Sequence, residues 1–382
     1  MRIFIDGATL CGSDGSTGAG IEHYTWSLVS EILRQNELED QIILFVPSQI
    51  SKHKQAELLH GAKNVRIIRA LLPYIPFVSR HIFLPLRAFF FRADIFFSPF
   101  GQLPFLWRWK SVITVHDVLI YDHPEWFPRE MVDSFSTRFI VPSSISKASS
   151  IICVSKWTEQ RLLANFPDAK NKTCVITEGV ELGSHKEVEH KGRFPFDRDY
   201  VLMLGTIEPR KNLANAFVAF EHFLETHPEQ QSQVRLIVAG KFGWKSQEII
   251  ESFQYKNSVH FLGPVTEEEK WYLLSRATCL LFPSLEEGFG LPILEAMSVG
   301  TPVITSRRGA LEEVGGDVVI YCEPDDTDEM SFAIAQCVLV PEGIQYLREE
   351  GYKRAVKFSW SKSARATLEL FHSISQNLKP NI

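Results

Sequence analysis

The sequence predicts two doubly wound α/β domains in tandem. Its 382 residues suit two hydrophobic cores better than one. Short apolar runs typical of buried parallel strands alternate with segments of helical period, and they do so in two separate series. A polar stretch without apolar periodicity, residues 183–199, lies between the series and is interpreted as a linker. We therefore expect one domain over 1–182, a second over 200–358 and a C-terminal segment over 359–382.

The first series of strands and helices begins with the arrangement that is typical of nucleotide-binding α/β units. A strand over 2–6 runs into a loop rich in Gly, Ser and Thr, and a helical pattern begins at Ile21. Further strands of the first domain are predicted at 41–46, 64–70, 93–98, 111–115 and 150–154. Strands of the second domain are predicted at 200–205, 234–240, 258–263, 277–283, 301–305 and 317–321. Helices between those strands are predicted near 212–226, 266–275, 291–299 and 327–338.

The composition argues against several classes of protein. With 45% hydrophobic and 23% charged residues, the chain has the composition of an ordinary globular protein rather than a disordered or fibrous one. A net charge of −6 disfavours a protein that wraps nucleic acid, so no nucleic-acid partner is expected. The six cysteines form no C-x-x-C pair and are expected to be buried and reduced. Because no signal-peptide pattern and no long apolar stretch is seen, we expect a cytoplasmic protein.

The most specific motif is FPSLEEGFGLPILEAMSVGTPVIT, residues 282–305. A buried strand ends in a glycine-containing loop, and a helix with proline in its first turn follows. The backbone N–H groups of Gly290 and Leu291 would then face a crevice suited to a diphosphate. Glu287 precedes the helix and Glu295 lies within it, so one carboxylate can face a reacting group while the other accepts hydrogen bonds from sugar hydroxyls. The alternative is two solvated glutamates that interact with the helix dipole.

A second motif, LGTIEPRKNL, begins the second domain. Gly205 closes the first strand, and Arg210 and Lys211 come just before a helix. Two adjacent cations at the head of a nucleotide crevice would neutralise a leaving diphosphate. The alternative is a pair of exposed surface cations.

Two features of the first domain are weaker signals. His116 and Asp117 end an apolar strand at its carboxyl end, where residues of doubly wound folds face the ligand. A hydrogen-bonded structural histidine is the alternative for His116. Gly18 and Gly20 lie in the loop before the first helix without the G-x-G-x-x-G spacing, and they indicate only a close backbone approach.

Together these residues resemble the group 1 family of retaining glycosyltransferases of the GT-B fold, in which two Rossmann-like domains face each other across a cleft. The family pattern S-x-x-E-G-F-G-L-P-x-x-E-A-M-x-x-G-x-P-V-I matches Ser284–Ile304. The glycine loop, the V-H-D segment and the E-P-R-K-N segment match at Gly18 and Gly20, Val115–Asp117 and Glu208–Asn212. The ending FSWSKSARATLELF is similar to the last helix of the family, which returns to the first domain.

The resemblance implies a role for each matching residue. Arg210 and Lys211 would hold the donor diphosphate, and Gly290 and Leu291 would contact donor sugar and phosphate through backbone groups. The remaining implied donor contacts are Glu287 to the transferred sugar, Glu295 to the ribose hydroxyls and His116 to the sugar near the reacting carbon. The predicted substrate site is completed by Gly18, Gly20, Gly205, Thr206 and Phe289.

Two residues depart from the family pattern. Thr206 stands where many members have arginine, so neutralisation of the diphosphate would depend on Arg210 and Lys211 alone. Glu178 stands where asparagine is common, which puts a contact near the linker in doubt.

These observations predict a retaining hexosyltransferase that uses a nucleotide-diphosphate sugar, with GDP-mannose as the first choice of donor. The acceptor is expected to be a hydroxyl of a glycan or a lipid-linked glycan, and no cofactor is expected. Two D-x-D patterns, Asp197–Asp199 and Asp326–Asp328, are interpreted as solvated or helix-capping charges, so no metal site is predicted. The alternatives are a non-catalytic sugar-nucleotide-binding partner protein, or an epimerase or phosphorylase of the same fold.

A basic stretch of the first domain suggests one more partner. Residues 51–110 contain ten Lys and Arg against two Asp and Glu, a net charge of +8. Within it, LLPYIPFVSRHIFLPLRAFFFR interleaves arginine with aromatic and aliphatic residues and is too interrupted to span a bilayer. We expect this segment to bind an anionic membrane surface, so that the enzyme is peripheral on the inner face of the cytoplasmic membrane. The alternative is an ordinary core helix with a solvated basic face.

Overall fold

The computed structural model describes residues 1–10, 20–36, 40–48, 50–70, 78–105, 107–182, 199–251 and 258–376. These residues divide into two compact units. The first unit contains the described residues up to Gly179 together with those from Ser359 onward, and the second contains Val180–Phe358. The predicted linker, 183–199, lies outside the described residues except for Asp199. The predicted domain limits therefore stay a prediction.

The first unit is built around a parallel sheet. Among its described residues, seven strands pair in the order β3-β2-β1-β4-β5-β6-β7. The strands are β1 Arg2–Asp6, β2 Gln41–Val46, β3 Val65–Arg69, β4 Ile95–Ser98, β5 Ser111–Val115, β6 Ser150–Cys153 and β7 Thr173–Val175. The helices of this unit are α1 Gly20–Gln35, α2 Lys52–Leu58, α3 Leu84–Phe90, α4 Leu119–Asp122, α5 Arg129–Val132, α6 Val141–Lys147, α7 Lys156–Asn165 and, after the second unit, α15 Trp360–Ser375.

The second unit repeats this plan. Among its described residues, six parallel strands pair in the order β10-β9-β8-β11-β12-β13. The strands are β8 Asp199–Leu204, β9 Val234–Ala239, β10 Val259–Gly263, β11 Cys279–Phe282, β12 Val303–Thr305 and β13 Ile320–Tyr321. The helices are α8 Leu213–Thr226, α9 Ser246–Glu251, α10 Glu267–Arg276, α11 Leu291–Ser298, α12 Leu311–Gly315, α13 Thr327–Leu339 and α14 Gln345–Ala355.

Local sequence explains why these elements form. The central strands are continuous apolar runs because helices cover both faces of the sheet, as in β5, where all residues are buried. Helix α10 begins with a capping box, in which Thr266 and Glu269 bond reciprocally to each other's backbone N–H groups. The apolar face of α8 packs into the core of the second unit through Phe217, Phe220 and Phe223. The prediction of two Rossmann-like domains is confirmed.

Strand β7 and helix α14 are among the elements that the sequence predictions did not include. Strand β7 has three residues at the edge of its sheet and only one of them, Cys174, is buried. Helix α14 is strongly charged, and its buried residues are Leu347, Gly351 and Ala355. Both segments lack the apolar periodicity on which the prediction depended.

The last helix returns to the first unit, which confirms the expectation from the family resemblance. The side-chain amide of Gln35, at the end of α1, donates to the backbone oxygen of Ser361 at 2.9 Å. Farther along α15, the ring of Phe371 packs against Phe97 of β4 with 5.2 Å between the ring centroids. The helix therefore contributes side chains to the core of the first unit.

We predict that Phe371→Ala lowers the free energy of unfolding by about 3–5 kcal/mol, because the fully buried ring leaves a cavity. The matched control is Phe332→Ala on α13, whose ring is 65% exposed. This control is expected to change stability by less than about 0.5 kcal/mol. Chemical denaturation monitored by fluorescence and circular dichroism measures both. Equal losses in the two variants would contradict a core role for α15.

Candidate functional site

The second unit has a crevice where its strand order reverses. Strand β8 pairs with β9 on one side and with β11 on the other, and ligands of open α/β sheets bind at such a switch point. A depression of about 260 Å³, part of it open to solvent, lies there. Its lining includes Gly205, Thr206, Lys211, Phe282 and Pro283. Three residues from the predicted site, Gly205, Thr206 and Lys211, are therefore brought together at this crevice.

The turn after β8 depends on two backbone positions. A Cβ atom at Gly240 would overlap the carbonyl oxygen of Gly205, so the close approach of these two loops requires glycine at 240. Asn212 has a φ of 58°, and its side-chain amide donates to the backbone oxygens of Pro283 at 3.2 Å and Pro324 at 2.6 Å. Asn212 thus fixes the end of the E-P-R-K-N segment where α8 begins.

Four charged side chains form one cluster beside the crevice. The guanidinium of Arg210 donates to Glu208 Oε1 at 2.6 Å and also contacts the carboxylate of Glu287. The ammonium of Lys211 donates to the other oxygen of Glu287 at 2.5 Å and lies 4.7 Å from the ring centroid of Phe282. We call Glu208, Arg210, Lys211 and Glu287 the four-charge cluster. Its formal charges balance, so the two cations are held in place by carboxylates.

The ionisation of Glu287 follows from these neighbours. Burial raises the pKa of Glu287, but the charges of Arg210 and Lys211 outweigh that effect and lower the pKa to about 2. Burial lowers the pKa of Lys211, and the charge of Glu287 opposes this shift. Glu287 is therefore ionised at neutral pH and orients both cations.

The backbone of Glu287 is also fixed. The N–H of Ala310 donates to the Glu287 carbonyl oxygen at 2.9 Å. Gly309 has a φ of 65°, and a Cβ atom there would overlap the Glu287 backbone. Gly309 was not predicted as a site residue, because its only signal in the sequence is a glycine that follows two arginines and precedes a helical segment.

Helix α11 begins as the sequence predicts. Gly290 is its N-cap residue, with a φ of 116°, and Leu291 is its first residue, followed by Pro292. Phe289 is buried, and its ring lies 6.0 Å from that of Phe358. The first N–H groups of the helix are thus presented next to the loop that carries Glu287.

Glu295 lies in a different environment from Glu287. Its Oε1 accepts from the ammonium of Lys270 on α10 at 2.6 Å, and both side chains are buried. Burial alone would lower the pKa of Lys270, but the charges of Glu295 and Glu267 raise it. Lys270 was missed in the sequence analysis because it follows three glutamates in a segment typical of a solvated helix.

His116 belongs to the first unit, where it follows β5. Its Nε2 lies 2.9 Å from the Pro99 carbonyl oxygen, and its Nδ1 lies 3.3 Å from Glu178 Oε1. Its ring packs edge-on against Tyr24, with 4.5 Å between centroids. Burial lowers the pKa of His116, and hydrogen bonding and charge from Glu178 more than reverse this, with a smaller effect of Asp117. The glutamate that departs from the family pattern is therefore the partner of His116.

The other predicted residues of the first unit and the D-x-D patterns are only partly described. Gly20 is the first residue of α1, and Gly18 lies outside the described residues, as does the first D-x-D pattern except for Asp199. In the second pattern, Asp326 Oδ1 accepts from the N–H groups of Asp328 at 3.1 Å and Glu329 at 2.9 Å. The capping interpretation of this pattern is confirmed.

Family models match most of the chain in two consecutive parts. The model described as Glycosyltransferase Family 4 matches residues 18–184, and the one described as Glycosyl transferases group 1 matches residues 185–354. The chain belongs to the group 1 glycosyltransferases. The family resemblance seen in the sequence is thereby confirmed, and this glycosyltransferase carries the four-charge cluster in the part matched by the group 1 model.

Individual proteins similar to this glycosyltransferase agree with that assignment. O-antigen chain mannosyltransferase B of Escherichia coli is 28% identical over 373 residues, which are 92% of this chain and 95% of the relative. Sucrose-phosphate synthase from Thermosynechococcus elongatus has a similar structure, with a TM-score of 0.75 at 19% identity, covering 98% of this chain and 99% of that one. HepE from Anabaena, solved in complex with UDP and glucose, has a TM-score of 0.66 at 18% identity, covering 98% and 100%. The structural likenesses show the fold.

We predict different effects for the two glutamates of the E-G-F-G-L-P-x-x-E motif. Glu287→Gln should lower kcat by about 100-fold or more without weakening binding of the free nucleoside diphosphate, because Arg210 and Lys211 remain but lose the charge that orients them. Glu295→Gln should mainly weaken nucleotide binding, by about 10-fold, because the buried Lys270 loses one of its two charged partners.

Calorimetric titration with nucleoside diphosphates and steady-state kinetics separate these effects. The matched control is Glu312→Gln, which removes an exposed partner of Arg307 and should change neither quantity. Equal losses of nucleotide affinity in Glu287→Gln and Glu295→Gln would show that the two glutamates do not have different roles.

Proposed function

We propose that this glycosyltransferase moves a mannosyl residue from GDP-mannose to a hydroxyl of a glycan or lipid-linked glycan, with retention at the anomeric carbon. The observation that carries the proposal is the four-charge cluster at the switch point of the second unit, next to the start of α11. The choice of mannose is supported by the E. coli relative, which is named as an O-antigen chain mannosyltransferase and matches over nearly the whole chain.

The proposed mechanism depends on stabilising the leaving diphosphate. Arg210 can bind two phosphate oxygens with its planar guanidinium, and Lys211 supplies a point charge. The N–H groups at the start of α11 add donors that favour an anion. Because these groups are already oriented before reaction, they stabilise the charge that develops as the sugar–phosphate bond breaks. The acceptor hydroxyl then loses its proton late, to the departing phosphate on the same face of the sugar.

The same proposal assigns the remaining contacts to the donor. Glu287 holds the two cations and contacts the hydroxyls of the transferred sugar, while Glu295 binds the ribose. Gly205 and Thr206 line the crevice from the end of β8. His116 contacts the sugar from the first unit. In this scheme no side chain acts as a nucleophile, so the acceptor itself attacks the anomeric carbon.

The test of this function is a donor panel. We expect GDP-mannose to raise Tm more than UDP-glucose or dTDP-sugars, since a ligand that binds only the folded state stabilises it by mass action. We also expect release of GDP to require an acceptor glycan, which a non-catalytic binding protein would not show. A Tm shift restricted to UDP-sugars would overturn the donor, and donor binding without any transfer to O-antigen-type glycans would overturn the activity.

Transfer is proposed to be independent of a divalent cation. Arg210, Lys211 and the N-terminal amides of α11 supply the groups that neutralise the diphosphate, so a metal is not required for that purpose. The rate of transfer in excess EDTA should equal the rate without it. Complete loss of activity that is restored by Mg²⁺ or Mn²⁺ would contradict this part of the proposal.

The first unit is proposed to bind the membrane through exposed aromatic side chains. Two side chains at the end of α3, Phe89 and Phe90, are 65% and 81% exposed. We define the aromatic surface by its exposed members Phe83, Phe89, Phe90, Phe105, Trp109, Phe135 and Phe139. Ring contacts join five of them in two groups. The ring centroids are 6.2 Å apart for Phe89 and Trp109, 5.9 Å apart for Phe105 and Phe135, and 5.1 Å apart for Phe135 and Phe139.

The charges beside the aromatic surface favour an anionic membrane as its partner. Arg87 and Arg92 lie on or next to α3, and Lys147 lies 5.3 Å from the ring centroid of Phe105. Arg80 also belongs to the basic stretch 51–110, but it lies over the ring of Phe100 and 4.0 Å from the buried carboxylate of Asp6. None of the helices in the described ranges has the length and apolar composition that a membrane span requires. The enzyme is therefore proposed to be peripheral, on the inner face of the cytoplasmic membrane.

We predict that the protein co-sediments with vesicles containing anionic lipid at low salt and is released as salt rises. The double variants Phe89→Ser/Phe90→Ser and Arg87→Gln/Arg92→Gln should each reduce the bound fraction several-fold, because one removes apolar insertion and the other removes charge attraction. Phe332→Ser, an equally polar change at an exposed ring of the second unit, is the control. Binding that is indifferent to lipid charge and to both double variants would rule the membrane out.

A further inference from the structure

The contacts of His116 favour one placement of its protons. The Pro99 carbonyl oxygen, 2.9 Å from Nε2, can only accept a hydrogen bond, so Nε2 carries a hydrogen. The Glu178 side chain lies 3.3 Å from Nδ1, and a carboxylate in its ionised form could only accept there, so that Nδ1 would carry a second hydrogen. A histidine with hydrogens on both nitrogens is an imidazolium cation. An asparagine at position 178 could instead donate to Nδ1 and would not impose this charge.

The titratable groups around the His116 ring identify Glu178 as its main charged neighbour. The titratable groups that face it are Glu178, Asp117 and Tyr24. Burial raises the pKa of Tyr24, whose hydroxyl is hydrogen-bonded to Thr114, so it stays neutral. From α7, Thr158 donates to the backbone oxygen of His116 rather than to the ring. Glu178 is therefore the group whose charge and position bear most directly on the ring.

We propose that Glu178 is a positioning residue that holds His116 as an oriented imidazolium at the carboxyl end of β5. This rests on the proposed function, in which His116 contacts the donor sugar. A cationic ring there stabilises negative charge on the departing phosphate, whereas a neutral ring offers no charge for this purpose. The side chains of His116 and Glu178 are 14% and 8% exposed, so the ring has little freedom to turn away from its partner.

The pairing of His116 with Glu178 determines how activity should change with pH. The cation is present below the pKa of His116 and is lost as pH rises through it, so a raised pKa extends activity to higher pH. Glu178→Gln and Glu178→Asn keep a polar side chain but remove the charge. We expect the His116 midpoint to fall by about 1–3 pH units in both variants. The alkaline limb of the kcat/KM profile should move to lower pH by a similar amount.

The experiment combines a titration of His116 with a pH–rate profile. Histidine labelled with ¹³C at Cε1 gives one signal for each of the 12 histidines, and His116→Gln identifies the signal of His116. The matched control is Glu125→Gln, because Glu125 lies at the same 3.3 Å from Nδ1 of another histidine, His123, at an exposed position. This control should leave both the His116 midpoint and the profile unchanged.

Each outcome decides the proposal. A wild-type His116 midpoint above the usual value of about 6.5 that falls in both Glu178 variants, together with a shifted profile, supports it. A wild-type midpoint at or below that value overturns it, and this measurement needs no variant to fold. A shifted midpoint with an unchanged profile also overturns it. Absence of transfer with every donor would refute the proposed function instead, and the titration would still report on the pair.

Discussion

The ion pairs that Glu287 makes with Arg210 and Lys211 are the interaction on which the rest of the proposed donor site depends. They join the loop after β8 to the loop after β11, and a backbone bond of 2.9 Å from Leu285 N–H to the Arg210 oxygen joins the same loops. Removing one side of a buried ion pair costs more than the pair contributes, because a charge is left without a partner. The two loops are therefore fixed together, and so is the start of α11 that follows the second loop.

The spacing between Glu287 and Glu295 places two carboxylates of one motif in separate environments. Glu287 lies in the loop and is shared by two cations, whereas Glu295 lies in α11 and is paired with Lys270 of the preceding helix. Apolar residues would fill these buried positions at lower cost, since buried ion pairs seldom add net stability. The presence of the Glu287 ion pairs beside the switch point of the sheet is better explained by a polar ligand that needs oriented charges.

The sequence was sufficient for the parts of the fold that follow from apolar periodicity. Continuous apolar runs predicted strands such as β5 to the residue, and proline in the first turn predicted the start of α11. Strand β7 and helix α14 were missed, because a short edge strand and a mostly charged helix bury too few side chains to show a period. The partner of Glu295 was missed for a different reason. Lys270 is distant in sequence and has the neighbours of a solvent-exposed residue, so only the fold shows that it is buried.

The two departures from the family pattern, Thr206 and Glu178, both change the number of charged side chains. Thr206 supplies no cation where many members have arginine, and the cations of the four-charge cluster are balanced by its carboxylates. Glu178, by contrast, adds a carboxylate whose partner is His116 in the first unit. Glu178 thus favours protonation of His116, and the resulting pair carries no net charge, as is also true of the four-charge cluster.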